Sequence, residues 1–122
     1  MILSYKYRLK PTPTQATVLQ EQLHLCRHTY NTLFEHSLNE RRAGRGTPNH
    51  KALTYLLPAM KTRKPELNTV FSQVLQNVAK RVRSGFECYW ARKRAGLKAH
   101  LPRFRGEDRY DSLTYPQFGF RV

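Results

Sequence analysis

The sequence is short of acidic side chains. Eight Asp and Glu residues stand against 22 Lys and Arg, which gives a formal net charge of +14. An excess of this size predicts an anionic partner, either nucleic acid or an anionic membrane surface. The chain has no apolar run near the roughly 18 residues of a spanning helix, and no signal-peptide pattern at its start. We therefore expect a cytoplasmic, nucleoid-associated protein that binds nucleic acid and no membrane.

Metal-binding patterns are scarce. The two cysteines, Cys26 and Cys88, do not form a CxxC pair, so we expect two small buried side chains rather than a disulfide or zinc ligands. His24 and His28 have helical i, i+4 spacing, with Glu21 one turn earlier, but no HExxH order and no clear third ligand accompany them. They indicate a polar helix face, and the sequence predicts no metal and no cofactor.

Catalytic motifs are missing as well. The sequence contains no Gly-rich phosphate loop and no G-x-S-x-G motif. Its carboxylates are scattered, and no pair is placed for two-metal nuclease chemistry. We therefore expect this chain not to be an enzyme.

What is present begins with an alternating segment. In residues 3–10, leucines and tyrosines, among them Tyr5 and Tyr7, alternate with Ser4, Lys6, Arg8 and Lys10. This period of two predicts a strand with one apolar and one basic face. The end of the chain alternates again around residues 112–115. Since a lone strand is unstable in water, we expect the two ends to pair.

Between these ends the apolar period becomes helical. Thr12, Pro13 and Gln15 form a T-x-x-Q capping box that predicts a helix to about residue 42. A loop over 43–52 and a short helix near 53–62 follow. We expect Asn68 or Thr69 to cap a second long helix that ends near residue 94. Gly85, inside that helix, indicates close approach of a neighbouring helix.

These patterns together predict an α+β fold that is mostly α. Two long helices and a short one pack as a bundle inserted between short terminal β-strands. The expected divisions are a first strand at 1–11, a helical bundle at 12–100, and a basic loop with the returning strand at 101–122.

The basic residues cluster late in the chain. Ten of the 22 lie between residues 80 and 109, in a stretch that continues into the Arg- and aromatic-rich segment "PRFRGEDRY". Arginines interleaved with aromatic residues suit phosphate contacts and base stacking, although a merely solvated helix face is the alternative. The predicted nucleic-acid contacts are Lys6, Arg8, Lys10, Arg81, Arg92, Lys93, Arg94, Arg103, Phe104 and Arg105. Tyr30 and Asn31 are expected to provide helix packing and a polar contact.

Several segments, in this order, resemble a known family. They are "YKYRLKPTPTQ", "CRHTYN", "LTYLLPAMK", "SQVLQNVAKRVRSGFECYW", "LPRFRG" and "SLTYPQ". Together they resemble the N-terminal helix-turn-helix region of TnpB/OrfB-type insertion-sequence proteins, and the resemblance covers essentially the whole chain.

The resemblance implies a function that composition does not. Family members look like RNA-guided DNA endonucleases related to type V CRISPR effectors, in which the first strand belongs to a wedge-type barrel and a helical recognition lobe is inserted after it. This implies guide RNA and target DNA as partners. The family's RuvC-like nuclease carboxylates and zinc cysteines would follow residue 122, so we expect a fragment, a truncated gene or a short product without the nuclease domain. An incomplete barrel also predicts self-association through open strand edges.

Two other functions stay open on sequence grounds. One is a transposase domain that binds double-stranded DNA through a true helix-turn-helix, although a ten-residue loop after residue 42 is longer than the turn of that motif. The other is a truncated, non-catalytic interaction protein that regulates a full-length relative.

Overall fold

The structure of the chain is a computed structural model, and it describes residues 12–70, 72–106 and 110. In chain order its elements are α1 (Pro13–Arg42), α2 (His50–Tyr55), α3 (Leu57–Arg63), a 3₁₀ helix (Pro65–Thr69) and α4 (Ser72–Arg94). None of these helices is long and apolar enough to cross a membrane.

The first long helix begins where the sequence predicts. The Thr12 hydroxyl accepts a hydrogen bond from the Gln15 N–H at 3.2 Å, and the Gln15 side chain accepts one from the Thr12 N–H at 3.0 Å. Pro13 occupies the first turn, where its missing N–H leaves no donor unpaired. The predicted capping box is therefore confirmed. At the other end the chain adopts φ +79° at Gly44, a conformation that favours glycine and ends the helix.

The short helix is divided in two. One helix was predicted near 53–62, but α2 ends at Tyr55 and α3 begins at Leu57. Pro58 lies in the first turn of α3, the position that a proline tolerates, and it cannot continue α2. The chain therefore restarts its helix at the proline instead of kinking through it.

The predicted cap of the second long helix is wrong. Asn68 and Thr69 belong to the 3₁₀ helix, and their side chains donate backwards to the carbonyls of Pro65 and Glu66, at 3.1 and 2.7 Å. Since α4 begins at Ser72, both residues lie too early to reach its free N–H groups.

The core lies mainly between α1 and α4, with the short helices closing it. Its largest fully buried apolar side chains include Leu33 and Phe34 from α1, Leu53 from α2, and Phe86 from α4. No residue of 13–24 is buried against the described part of the chain, so the core begins at Leu25. Leu23 is partly buried against this core, and the turns of α1 that precede it contribute no buried residue to the described part of the chain.

The predicted α+β class is wrong. Every element that the structure describes is helical, and no strand occurs in residues 12–70, 72–106 and 110. The strands predicted at 3–10 and 112–115, their pairing and their open edges lie outside the described residues. Residues 97–106, which lead toward the second of them, form non-helical coil. This segment does not extend a sheet, because a side chain of α1 satisfies the backbone of Arg105.

Candidate nucleic-acid interface

A tight turn at Gly96 sends the chain back along α4. Gly96 has φ +73°, its N–H donates to the Lys93 carbonyl at 3.2 Å, and the Leu97 N–H donates to the Arg92 carbonyl at 3.0 Å. This pair of bonds is a Schellman motif, which satisfies the last carbonyls of a helix and reverses the chain. Residues 97–106, here called the return segment, consequently lie against the helix that precedes them.

The return segment touches α4 at a glycine. A Cβ atom added at Gly85 would lie 3.1 Å from Cγ of Pro102. A close approach at Gly85 was predicted, and it is confirmed, but the neighbour is this coil segment and not a helix. The missing side chain lets the proline ring sit directly on the helix surface.

The return segment is also fixed to α1. The Asn31 side chain accepts from the Arg105 N–H at 2.7 Å and donates to the Arg105 carbonyl at 2.8 Å. Arg27 donates to the same carbonyl at 3.4 Å. Next to Asn31, Tyr30 is buried in the core. The roles expected for Tyr30 and Asn31, packing and a polar contact, are both confirmed.

An open groove of about 880 Å³ lies between α4, the return segment and Tyr30. Five cationic side chains line it, and none of the described residues in its lining is acidic. The cations are Arg81, Arg92, Lys98, Arg103 and Arg105. Because like charges converge here without a lining carboxylate, the groove is suited to an anion.

These cations fall into two groups. Arg81 and Arg105 hold their guanidinium groups over the rings of Tyr110 and Tyr30, at 5.1 and 5.4 Å from the ring centres. Arg92, Lys98 and Arg103 are exposed and make no ion pair with a residue in the described ranges. We call these three the groove cations, since their charges are available to a ligand.

Phe104 supplies an aromatic surface to the same groove. Its ring meets Phe34 edge to face, with ring centres 4.8 Å apart and planes at 88°, and Phe34 in turn stacks on Phe86. Phe104 is nevertheless 52% exposed. It is therefore held by the core and open to the groove.

The structure places only some of the predicted site residues in the groove. Arg81, Arg92, Arg103, Phe104 and Arg105 all line the groove. Lys93 instead lies over the Tyr89 ring at 5.6 Å, and Arg94 is exposed in the last turn of α4 outside the groove lining. Lys6, Arg8 and Lys10 lie outside the described residues.

Sequence reasoning missed Lys98 and His100 as members of this surface. Both belong to the return segment and line the groove. The available signal was Gly96, because a glycine directly after a helix predicts a reversal that would place the next residues beside the helix they leave.

Two titratable groups near Arg81, Cys26 and Tyr110, are buried. Burial raises the pKa of the Cys26 thiol to about 11, although Arg81 opposes the shift. Burial likewise raises the pKa of Tyr110 to about 12, again against Arg81. Cys26 is thus the buried residue that was expected. Cys88 is exposed and lines the groove, so its predicted burial is wrong; it lies on the groove face of α4, away from the apolar stripe.

The paired histidines His24 and His28 lie one turn apart on α1. Burial lowers the pKa of His28, with smaller effects of Lys64, His24 and Arg27 in the same direction. No group of three or more His, Cys, Asp or Glu residues within the described ranges is arranged to hold a metal ion.

A comparison with protein families gives a match at the start of the chain. Residues 1–45 match the model of the OrfB/IS605 family described as a helix-turn-helix domain. The start of this chain is therefore similar to the helix-turn-helix domain of OrfB-type insertion-sequence proteins, over 45 of its 122 residues. Neither the curated proteins nor the solved structures contain a match.

The OrfB-type match indicates a broad function. A helix-turn-helix domain of this type is nucleic-acid-binding and transposase-associated, and residues 1–45 resemble such a domain. In the described portion of residues 1–45, α1 is the helix that occurs, and its last buried residue is Ser37. The match ends within the turn that follows α1, and Tyr30 and Asn31 fall inside it.

Proposed function

We propose that this chain holds structured RNA, or an RNA–DNA duplex, through backbone phosphates, as the guide RNA and target DNA of the resemblance would require. The observation that carries the proposal is the groove, where Arg92, Lys98 and Arg103 converge without an ion pair to the described residues. Arginine suits this task because its planar guanidinium can bind a phosphate with two parallel hydrogen bonds. Phosphate contacts of this kind are independent of sequence.

The helix geometry supports RNA over a specific DNA duplex. A DNA-reading helix-turn-helix joins two short helices by a turn of 3–4 residues. Here α1 has 30 residues, and seven residues separate its end from the start of α2. The groove is also formed by a coil and a helix side, which suits recognition of backbone and shape.

The family match favours a second candidate. Since residues 1–45 match a helix-turn-helix domain, sequence-specific binding of double-stranded DNA is the competing function. It requires a helix in the major groove with side chains on base edges, and therefore affinity that depends on base sequence. A comparison of several DNA duplexes with RNA of equal length separates the two candidates.

We propose further that this chain binds nucleic acid and does not cleave it. The described carboxylates, which are Glu21, Glu35, Glu40, Glu66 and Glu87, form no metal-binding cluster with one another or with the described His and Cys residues. This supports a role in holding the nucleic acid.

The test is a salt titration of binding with two triple variants. Replacing the groove cations Arg92, Lys98 and Arg103 by Ala should weaken binding to a hairpin RNA. It should also flatten the log–log salt slope by about 2 to 3, because each lost phosphate contact removes roughly 0.7 to 0.9 from the slope. The control replaces three exposed cations outside the groove lining, Arg42, Lys51 and Arg63, by Ala.

The comparison tests whether the position of the lost charges matters as well as their number. Both triple variants lose three charges, so equal effects would contradict a role for the groove and indicate diffuse attraction. A third variant, Lys93→Ala with Arg94→Ala, should weaken binding less than the groove triple, since neither residue lines the groove. Unchanged RNA affinity in a correctly folded groove triple would overturn the proposal.

A further inference from the structure

We propose that the groove receives an unstacked nucleotide from a single-stranded stretch of the bound nucleic acid, with its base on Phe104 and its phosphates on Arg92, Lys98 and Arg103. This inference rests on the proposed function, and it names the part of the nucleic acid that enters the groove.

The dimensions of the groove favour a small occupant. Its volume of about 880 Å³ lies in the range of roughly 300–1,000 Å³ that is typical of sites for single small ligands. A duplex presents its phosphates on a convex outer surface, so its backbone can contact the cations of the groove while its stacked bases stay outside it. A nucleotide that has left the stack presents a flat base and a charged phosphate, and the groove offers surfaces for both.

The position of Phe104 distinguishes it from an ordinary exposed side chain. Single apolar residues on a protein surface are common and need no function. Phe104 lies between Arg103 and Arg105 in sequence, lines a cationic groove, and keeps about half of its surface exposed. Sequence-tolerant binding of single strands uses this combination, in which an aromatic ring stacks on a base while nearby cations contact the backbone.

The ring is held in place before a ligand arrives. Phe34 contacts it edge to face, and the following residue, Arg105, is fixed by the Asn31 side chain on both its N–H and its carbonyl. Arg105 also places its guanidinium over Tyr30. A fixed aromatic ring loses little conformational freedom on binding, so more of the stacking energy contributes to affinity.

The charges complete the complementarity. The groove cations come from two separate segments, Arg92 from α4 and Lys98 and Arg103 from the return segment. They line the same groove as Phe104, with no acidic residue in the described lining. A phosphate on either side of a base that stacks on Phe104 would therefore meet positive charge.

The first test compares two ligands on the native chain. The full chain is titrated with a short single-stranded RNA and with the same backbone lacking its bases. We expect removal of the bases to weaken binding about 5- to 150-fold, the range for one stacked base, while the salt slope stays the same because the phosphates are retained. Equal affinity for both ligands would overturn the nucleotide site and leave the proposed phosphate binding intact.

A protein variant then locates the effect. With 2-aminopurine in the RNA, binding to the native chain should change the fluorescence of the base, because the base leaves its neighbours and stacks on Phe104. Phe104→Leu should abolish this change because leucine fills space but offers no flat ring, and Phe104→Tyr should restore it. The same fluorescence change in a folded Phe104→Leu chain would overturn the assignment to Phe104. Failure of the native chain to bind any RNA would overturn the proposed function, and this inference with it.

Discussion

The side chain of Asn31 pairs with the backbone of Arg105 as a neighbouring strand would. Its amide accepts from the Arg105 N–H at 2.7 Å and donates to the Arg105 carbonyl at 2.8 Å, across 74 positions of sequence. One side chain thereby satisfies both backbone groups of a residue that has no ladder partner in the described part of the chain. The return segment is consequently fixed on α1 beside the groove.

Replacing Asn31 by Ala should release the return segment. The loss of two partly exposed hydrogen bonds should lower the free energy of unfolding by about 1 to 3 kcal/mol, since each contributes roughly 0.5–1.5. Hydrogen exchange at the Arg105 amide should accelerate, and RNA affinity should fall because Phe104 is no longer held in place. Asn39→Ala is the matched control, an exposed Asn on the same helix whose side chain makes no hydrogen bond with a described residue. Equal exchange rates at Arg105 in the two variants would contradict this role.

Replacing Gly85 by Ala should weaken RNA binding and leave the free energy of unfolding nearly unchanged. Alanine favours the helix by about 1 kcal/mol over glycine, but its Cβ would lie 3.1 Å from Pro102 and push the return segment outward. We expect a free energy of unfolding within about 1 kcal/mol of the native value and a weaker affinity for RNA, measured by denaturant titration and by fluorescence anisotropy. Native RNA affinity in the Ala variant would show that the contact with Pro102 does not shape the groove.

The two thiols should differ sharply in reactivity. Cys88 is exposed on the groove, whereas Cys26 is buried with its pKa raised to about 11, and the thiolate is the reactive form. An aromatic disulfide reagent should therefore titrate one thiol in the folded chain and two in denaturant. Bound RNA should slow the single native reaction, and Cys88→Ser should remove it. Two rapidly reacting thiols in the folded chain, or one that RNA leaves unprotected, would contradict this arrangement.

Alkaline pH should destabilise the fold through Cys26. The folded chain retains the thiol proton up to a pKa of about 11, while the unfolded thiol ionises near its ordinary value of 9. Stability is therefore complete below about pH 9 and falls as pH rises toward 11, by up to about 2 to 3 kcal/mol. Tyr110 adds a similar fall at still higher pH, because its pKa is raised to about 12.

The variant Cys26→Ala isolates the thiol contribution. It should be less stable than the native chain at neutral pH because of the cavity that it leaves. Its free energy of unfolding should change less between pH 9 and 11, as measured by urea titration at each pH. Parallel pH profiles of the two proteins would assign the alkaline loss to other groups.

Local patterns predicted the two long helices well. The capping box at Thr12 and the apolar stripes place α1 and α4 because both signals depend on neighbours a few residues apart. Gly44 follows the end of α1 and Gly96 follows the end of α4, and each glycine is a local signal of the same kind. The division at Pro58 follows from a local rule as well, since a proline is best tolerated in the first turn of a new helix.

The groove could not be predicted from the sequence, because it is formed by contacts between residues that are far apart in the chain. The bonds between Asn31 and Arg105 join residues far apart in sequence, and Gly85 meets Pro102 only because the chain reverses at Gly96. Composition placed Arg92, Lys93 and Arg94 in one group, but the rotation of about 100° between successive helical residues directs them to different sides. Only Arg92 of these three lines the groove.

The return segment also has a fixed length. It leaves the glycine turn at Gly96, rests on Gly85 through Pro102, and is fastened to α1 at Arg105, with eight residues between the turn and the fastening. Many surface loops tolerate insertions because few contacts fix their backbone. A segment that is fixed at three points must break or shift one of its contacts when its number of residues changes. Side chains can therefore vary along it more freely than its number of residues. An inserted or deleted residue between Gly96 and Arg105 would disrupt the groove more than most single substitutions there.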